Sequence, residues 1–100
     1  MSNQAEEIPM ADEVKATIRQ AFEQAGVVAG LKEATFYSGD EWREMEEPYL
    51  QDAVLVMVVE GLAYVLMHDD DFMESLDILL GPLDVYADFG EEWQVGFIEN

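Results

Sequence analysis

The sequence predicts an α+β domain in which an antiparallel sheet of about four strands carries two helices on one face. Three observations predict it: apolar residues recur at helical spacing over 11–25 and 69–80, a β-branched apolar segment occupies 51–68, and residues alternate in character over 91–99. Strands that follow one another in sequence favour antiparallel pairing, which gives the element order α-β-β-β-α-β.

The first helix is predicted over 11–25. Its apolar face is formed by Val14, Ile18, Ala21, Phe22 and Ala25. Gly26 follows at the position where a glycine commonly ends a helix. Residues 1–10 are largely polar and are expected to form a flexible N-terminus, so that 11–100 make up a single acidic domain.

The segment 31–38 is predicted to form the first strand, with Ala34 and Phe36 on one of its faces. Asp40 is then expected to cap a short helical turn that ends near Pro48, because the residue before a proline disfavours helical backbone angles. This turn leads into the most hydrophobic part of the chain.

That hydrophobic part, 51–68, is predicted to be a β-hairpin. Valine dominates its first half, which favours a buried strand. Glu60 and Gly61 then supply a two-residue turn, and the second half returns as the partner strand. The alternative is one long buried helix over 49–67; the valines and the central glycine favour the hairpin.

A second helix is predicted over 69–80, where apolar residues again recur at helical spacing. Gly81 and Pro82 are expected to end it. A turn around 84–90 should follow, and the alternation over 91–99 predicts a final strand.

Charge is the unusual property of this chain. It carries 23 acidic and 4 basic residues, for a formal net charge of −19, and the basic residues all lie within the first 43 positions. A small domain commonly carries a net charge of about 2–8 in magnitude. Because the excess destabilises the folded state by self-repulsion, it indicates a surface directed at something positively charged.

Catalytic chemistry has little support in the sequence. The chain contains no cysteine, one histidine and two lysines, and it has no phosphate-binding loop or nucleophile motif. Any pair among so many carboxylates could fall at a distance suited to acid–base work, so proximity alone would mean little. We therefore expect a non-catalytic binding protein that uses no cofactor.

Two acidic clusters are the predicted partner-binding sites. The first, with two aromatic residues inside it, consists of Asp40, Glu41, Trp42, Glu44, Glu46, Glu47, Tyr49 and Asp52. The second consists of Asp69, Asp70, Asp71, Glu74 and Asp77. The aromatic residues of the first cluster have two interpretations, contact with arginine side chains of a partner or packing at the edge of the sheet.

The second cluster also raises the question of a metal site. Its carboxylates, together with His68, could supply oxygen and nitrogen ligands for calcium or magnesium. An EF-hand loop that began at Asp69 would need glycine at its sixth position, which is Glu74. The favoured interpretation is that the three aspartates cap and stabilise the start of a helix, that His68 ends a strand, and that no metal is bound.

In its size, its acidity, and its lack of cysteine and catalytic motifs, the chain resembles acidic phage and mobile-element inhibitors that mimic nucleic acid, of the anti-CRISPR or anti-restriction type. DNA carries one phosphate charge per ~1.7 Å of axis, and its binding proteins hold it with lysine and arginine. The resemblance implies that the chain occupies the basic surface of a nucleic-acid-binding protein or complex, and that it does not bind nucleic acid directly.

Two other functions stay open at the level of sequence. A small acidic chaperone or immunity protein would bind a basic effector or toxin, and a halophilic or Ca/Mg-binding domain would use its carboxylates to hold water or ions. The N-terminus has no signal-peptide pattern, and the apolar segments are too short to span a bilayer, so we expect a cytoplasmic protein without membrane contact. The sequence leaves homodimerisation open.

Overall fold

The structure, a computed structural model, describes residues 9–100. Its helices are α1 (Met10–Gln24), α2 (Gly39–Glu44), α3 (Gly61–Met67) and α4 (Asp70–Leu80). Its strands are β1 (Ala34–Ser38), β2 (Leu55–Val59), β3 (Val85–Phe89) and β4 (Gln94–Glu99). The flexible segment predicted over 1–10 lies outside the described residues except for its last two, and Met10 already begins α1.

The strands form one antiparallel sheet in the order β1-β2-β4-β3, which confirms the predicted α+β class and strand number. The element order is corrected to α-β-α-β-α-α-β-β. Helices α1, α3 and α4 pack on one face of the sheet, which we call the main face, and α2 packs on the other, which we call the α2 face. The two helices predicted to share one face, α1 and α4, do so, and the short helix α2 is an addition on the opposite face. None of the helices within residues 9–100 is long and apolar enough to cross a membrane.

Helix α1 confirms the predicted amphipathic pattern, because Val14, Ile18, Ala21 and Phe22 are buried against the main face. Its end also follows the prediction. Gly26 adopts a φ of 75° after Ala25, and the amide of Val27 donates to the carbonyl of Phe22 at 2.9 Å. This arrangement is a Schellman motif, in which glycine accepts the left-handed conformation that other residues resist.

Helix α2 begins two residues earlier than predicted, and Ser38 caps it in place of Asp40. The Ser38 hydroxyl accepts the amide of Glu41 at 3.1 Å, and the Glu41 carboxylate accepts the amide of Ser38 at 2.8 Å. These reciprocal bonds form a capping box, which satisfies two otherwise unpaired amides. Gly39 is required beside this cap, because a β-carbon there would collide with the carbonyl oxygen of Ala53.

The hairpin predicted over 51–68 is wrong, and so is its alternative of one long helix. The first half is strand β2, but the second half is helix α3, in which Ala63 and Met67 are buried four residues apart. Gly61 has a φ of 52°, which suits a hairpin turn and this helix start equally well. A distant group caps the start of this helix, because the Glu33 carboxylate accepts the amide of Leu62 at 3.1 Å.

The turn predicted at 84–90 is also wrong, because Val85–Phe89 is strand β3 and pairs with β4. This edge strand buries only Val85 fully, so its sequence lacks a clear alternation. Helix α4 and strand β4 were both predicted correctly in type, and α4 ends at Leu80 before the 3-10 turn Gly81–Leu83.

Two hydrophobic clusters hold the layers together. On the main face, the rings of Phe22 and Phe72 meet edge to face with centroids 5.1 Å apart, above the buried side chains of β2 and β4. On the α2 face, Trp42 packs against Val56, and the side chain of Leu50 covers Gly96 in the middle of the sheet. The segment that follows α2 is thereby fixed to the sheet.

Candidate acidic interaction surfaces

The acidic side chains of the first cluster surround helix α2 and the turn after it. We call this surface the α2 patch, and its members are Asp40, Glu41, Glu44, Glu46, Glu47 and Asp52. All are exposed except Glu47, which is half-buried. The carboxylates predicted from the sequence are therefore at the surface, on α2 and on the segment that joins α2 to β2.

The α2 patch contains its own counter-ion. The Arg43 guanidinium lies 2.7 Å from the Asp40 carboxylate, and it also donates to the carbonyl of Gln51 at 2.9 Å. The carboxylate of Glu41 is engaged in the capping box. Two of the six carboxylates, those of Asp40 and Glu41, thus have partners within the chain, and the positive charge of Arg43 lies among them.

The two aromatic residues of this cluster have separate roles. Trp42 is 2% exposed, and its indole N–H donates to the Tyr49 carbonyl at 2.7 Å, so its ring is packing in the core and is not accessible to a partner. Tyr49 is 46% exposed and remains at the surface. Trp42 supports the α2 patch from beneath, which is the packing interpretation considered for it above.

The second cluster lies on helix α4, and we call it the α4 patch: Asp69, Asp70, Asp71, Glu74 and Asp77. All five carboxylates are exposed. Asp69 caps the helix by accepting the amide of Phe72 at 3.0 Å, and Asp70 and Asp71 occupy the first turn, where the helix dipole favours anions. The capping role predicted for these aspartates is confirmed.

The α4 patch differs from the α2 patch in having no cation. Within residues 9–100, side-chain ion pairs join only Arg19 to Glu23 and Arg43 to Asp40. No basic residue lies in the last turn of α4 either. Within residues 9–100, no side-chain cation offsets the charge of this patch.

The number of α4 carboxylates per length of axis, counted all round the helix, is close to that of the phosphates in one DNA strand. A helix rises ~1.5 Å per residue, so the five carboxylates from Asp69 to Asp77 occupy ~12 Å of axis, or one per ~3 Å. Each strand of B-DNA carries one phosphate per ~3.4 Å of axis. Asp70, Glu74 and Asp77 follow one another at intervals of four and three residues, which places them on one side of the helix.

The two patches do not form one surface. Trp42 of α2 packs on the sheet face that carries Val56, whereas Leu76 of α4 packs on the face that carries Met57. Because adjacent residues of a strand point to opposite faces, the sheet separates the two patches. One groove of a partner can therefore engage one patch at a time.

His68 does not end a strand as predicted; it follows the last residue of α3. Its ring lies between Tyr64 and Phe89, with centroids 4.5 and 5.0 Å away, and its Nε2 is 2.7 Å from the carbonyl oxygen of Glu92. Within the part of the chain that the structure describes, no three His, Asp or Glu side chains are placed to hold a metal ion.

These aromatic contacts belong to a small surface cluster that the sequence interpretation missed. The Tyr64 hydroxyl lies 3.3 Å from a Glu92 carboxylate oxygen, and Phe89, whose ring faces that of His68, is partly exposed. Desolvation, and then the charge and hydrogen bond of Glu92, raise the pKa of the Tyr64 phenol above its usual value. Recognising β3 and its hairpin with β4 would have brought these residues together.

Comparisons of the chain with protein-family models, with curated proteins and with solved structures gave no match. The two patches are therefore interpreted from their own geometry and charge.

Proposed function

We propose that the chain is a non-catalytic inhibitor that presents a phosphate-like acidic surface to a basic nucleic-acid-binding site. Its target in this proposal is a nuclease or the complex that directs one, as for inhibitors of the anti-CRISPR or anti-restriction type. The partner supplies lysine and arginine side chains, and each carboxylate of the chain takes the place of a phosphate.

The row of carboxylates along α4 is the observation that carries this proposal. Three of its members, Asp70, Glu74 and Asp77, lie on one side of the helix about 5 Å apart along its axis, and no side-chain cation within residues 9–100 pairs with the patch. A short helix held by Phe72, Leu76 and Leu80 in the main core keeps the row rigid. Such pre-organisation lowers the entropy lost on binding.

The α4 patch is the principal binding surface in this proposal, and the α2 patch is secondary. The carboxylates of the α2 patch would attract the lysine and arginine side chains of a partner's groove, but Arg43 beside them would repel the same side chains. Asp40 and Glu41 would also have to give up contacts within the chain in order to bind a partner. The carboxylates of Asp70, Glu74 and Asp77 face no such cost.

The test begins with capture of proteins from a host lysate on the immobilised chain, followed by elution with duplex DNA. We expect the captured partner to be released by DNA, and its affinity for the purified chain to fall steeply between about 0.05 and 0.3 M salt. Nuclease or DNA-binding activity of that partner should fall as the chain is added.

Two outcomes would count against nucleic-acid mimicry. A partner that duplex DNA does not displace would favour the chaperone or immunity function, in which the ligand is an effector or toxin segment. An affinity that stays flat across the salt range would remove the electrostatic basis of the proposal. Loss of all activity on changing one carboxylate, instead of graded losses over several, would favour an enzyme.

A further inference from the structure

We propose that the groove between α1 and the free edge of β1 binds an extended segment of a partner protein that carries carboxylate side chains. This site lies outside both acidic patches and would give the chain a second kind of partner. It rests on three features of the groove: its positive charge, its apolar floor and its unpaired strand edge.

The positive charge comes from two of the four basic residues of the chain. Lys15 and Arg19 are one helical turn apart on α1 and both line a groove of about 420 Å³. The Lys15 ammonium lies 5.1 Å from the centre of the Phe36 ring, a distance at which a cation is attracted to the ring face. Asp12 lines the groove as well, so the charged side chains of its lining carry a surplus of one positive charge in a chain of net charge −19.

The pairing of these cations inside the chain is weak. Arg19 reaches Glu23 at 3.8 Å, but both side chains are more than half exposed, and such surface pairs contribute little. Among residues 9–100, no carboxylate lies within ion-pair distance of Lys15. Asp12 lies at the lip of the same groove and will favour ligands whose carboxylates lie toward Arg19.

The floor of the groove is apolar and partly open. Leu31, Ala34 and Phe36 line it, and all three are half-buried. A ligand side chain placed over them would lose contact with water while a neighbouring carboxylate reached Lys15 or Arg19. This combination favours a peptide over a free inorganic anion.

The strand edge supplies backbone hydrogen bonds. Strand β1 is the edge strand of the sheet and pairs only with β2. At the two ends of this pairing, the Glu60 amide donates to the Glu33 carbonyl and the Gly39 amide donates to the Val54 carbonyl. Residues 33 and 39 therefore direct their backbone groups toward β2. Alternate residues of an antiparallel strand direct their backbone groups to opposite sides. The groups that point away from β2 are therefore those of Ala34, Phe36 and Ser38.

Among residues 9–100, only one of these outward amides has no hydrogen-bond partner. The amide of Ala34 donates to the Leu31 carbonyl, and the amide of Ser38 donates to the Glu41 carboxylate. Phe36 remains, so one residue of an extended peptide can exchange a pair of hydrogen bonds with it. Addition of a strand to a sheet edge, with side chains in adjacent pockets, is a common mode of peptide recognition.

The experiment uses the full chain, labelled with nitrogen-15, and a soluble eight-residue peptide of threonine and valine that carries two glutamates and has blocked ends. We expect saturable shifts of the Phe36 amide and of its neighbours at about 0.15 M salt, where charges farther than ~8 Å away are screened. Exchange of the Phe36 amide hydrogen should slow when the peptide is bound.

Matched controls separate the three features. Lys15→Gln should weaken binding of the peptide about fivefold, whereas Lys32→Gln, which changes the net charge equally but does not line the groove, should leave it unchanged. A peptide with glutamine in place of glutamate should bind more weakly, and so should one N-methylated at alternate residues, which cannot pair with the edge.

Three results would overturn the proposal: no saturable binding below about 1 mM peptide, equal affinity for the glutamine peptide, or equal loss in both lysine variants. Shifts of the Phe36 amide that depend on the concentration of the chain alone would show that a second copy occupies the edge. These outcomes do not depend on DNA displacement, so failure here leaves the proposed function of the α4 patch standing.

Discussion

The acidic patches around α2 and around α4 lie on opposite sides of one sheet, and they hold their charge differently. In the α2 patch, Arg43 pairs with Asp40, and Glu41 closes a capping box. In the α4 patch, Asp69 alone is engaged as a cap, and the other carboxylates have no cation beside them among residues 9–100. The comparison shows that a count of carboxylates overstates how strongly a patch attracts a cationic partner when some of those carboxylates are already bound within the chain.

The largest expected effect tests what supports the α2 patch. Trp42→Ala should lower the free energy of unfolding by about 4 kcal/mol, because it removes a buried indole and leaves a cavity. Amides of the segment 39–53 should then exchange fastest. Chemical denaturation and hydrogen exchange measure both effects.

The matched control is Trp93→Ala, which removes the same side chain from a position that is 47% exposed and should cost under about 1 kcal/mol. Trp42→Phe keeps most of the apolar volume and loses the bond to the Tyr49 carbonyl, so it provides a folded variant if the alanine form does not fold. Equal losses at positions 42 and 93 would mean that Trp42 does not anchor the patch.

The next effect compares the two patches directly as binding surfaces. Removing three charges from α4 with Asp70→Asn, Glu74→Gln and Asp77→Asn should weaken binding of the captured partner about 100-fold, since each interfacial charge pair contributes about fivefold. Removing three from the α2 patch with Glu44→Gln, Glu46→Gln and Glu47→Gln should cost under about tenfold. Titration calorimetry of both variants against the same partner measures the difference, and a reversed order would make α2 the binding surface.

A smaller effect concerns stability. Asp77 lies in the last turn of α4, near the negative end of the helix dipole, so Asp77→Asn should raise the melting temperature by about 3 °C. Asp40→Asn makes the same change of charge but removes the partner of Arg43, and it should lower the melting temperature by about the same amount. Shifts of the same sign in calorimetry would show that global repulsion, and not local pairing, decides stability.

The smallest effect is at a carboxylate outside both patches. Glu92→Gln should lower the pKa of the Tyr64 phenol part of the way toward its usual value, because desolvation, the largest cause of the shift, remains while the neighbouring negative charge is removed. The raised pKa means that the folded state holds this proton more tightly, so its contribution to stability is present below pH 10 and is lost as pH rises through the folded-state pKa. Ultraviolet titration against a Tyr64→Phe reference measures it, and an unchanged curve would contradict the contact.

The elements that the sequence predicted well are those whose contacts are local. Helices α1 and α4 both have a helical apolar period. Gly26 ends α1 as predicted, whereas Gly81 keeps helical backbone angles and the left-handed residue after α4 is Asp84. Helix α3 was missed because its start depends on Glu33, 29 residues before Leu62. Strand β3 was missed because an edge strand with one fully buried residue has no strong pattern.

For the candidate surfaces, the sequence predicted which residues belong to each patch but not where the patches lie relative to the sheet. The positions of the carboxylates along the sequence gave both patches and the cap at Asp69. Their placement on opposite sides of the sheet could not be predicted without the true element order. The internal role of Arg43 was also hidden, since its contact with the Gln51 carbonyl depends on the path of the loop after α2.

The contact between Leu50 and Gly96 makes two distant positions interdependent. A β-carbon at position 96 would come within 2.7 Å of the Leu50 side chain, and Leu50 itself adopts a φ of 63° to reach the sheet. A larger residue at 96 would therefore need a smaller one at 50, or the loop that carries Glu46, Glu47 and Tyr49 would be displaced. In related sequences we expect these two positions to co-vary. A large residue at position 50, which holds the loop of the α2 patch on the sheet, should occur together with glycine at position 96.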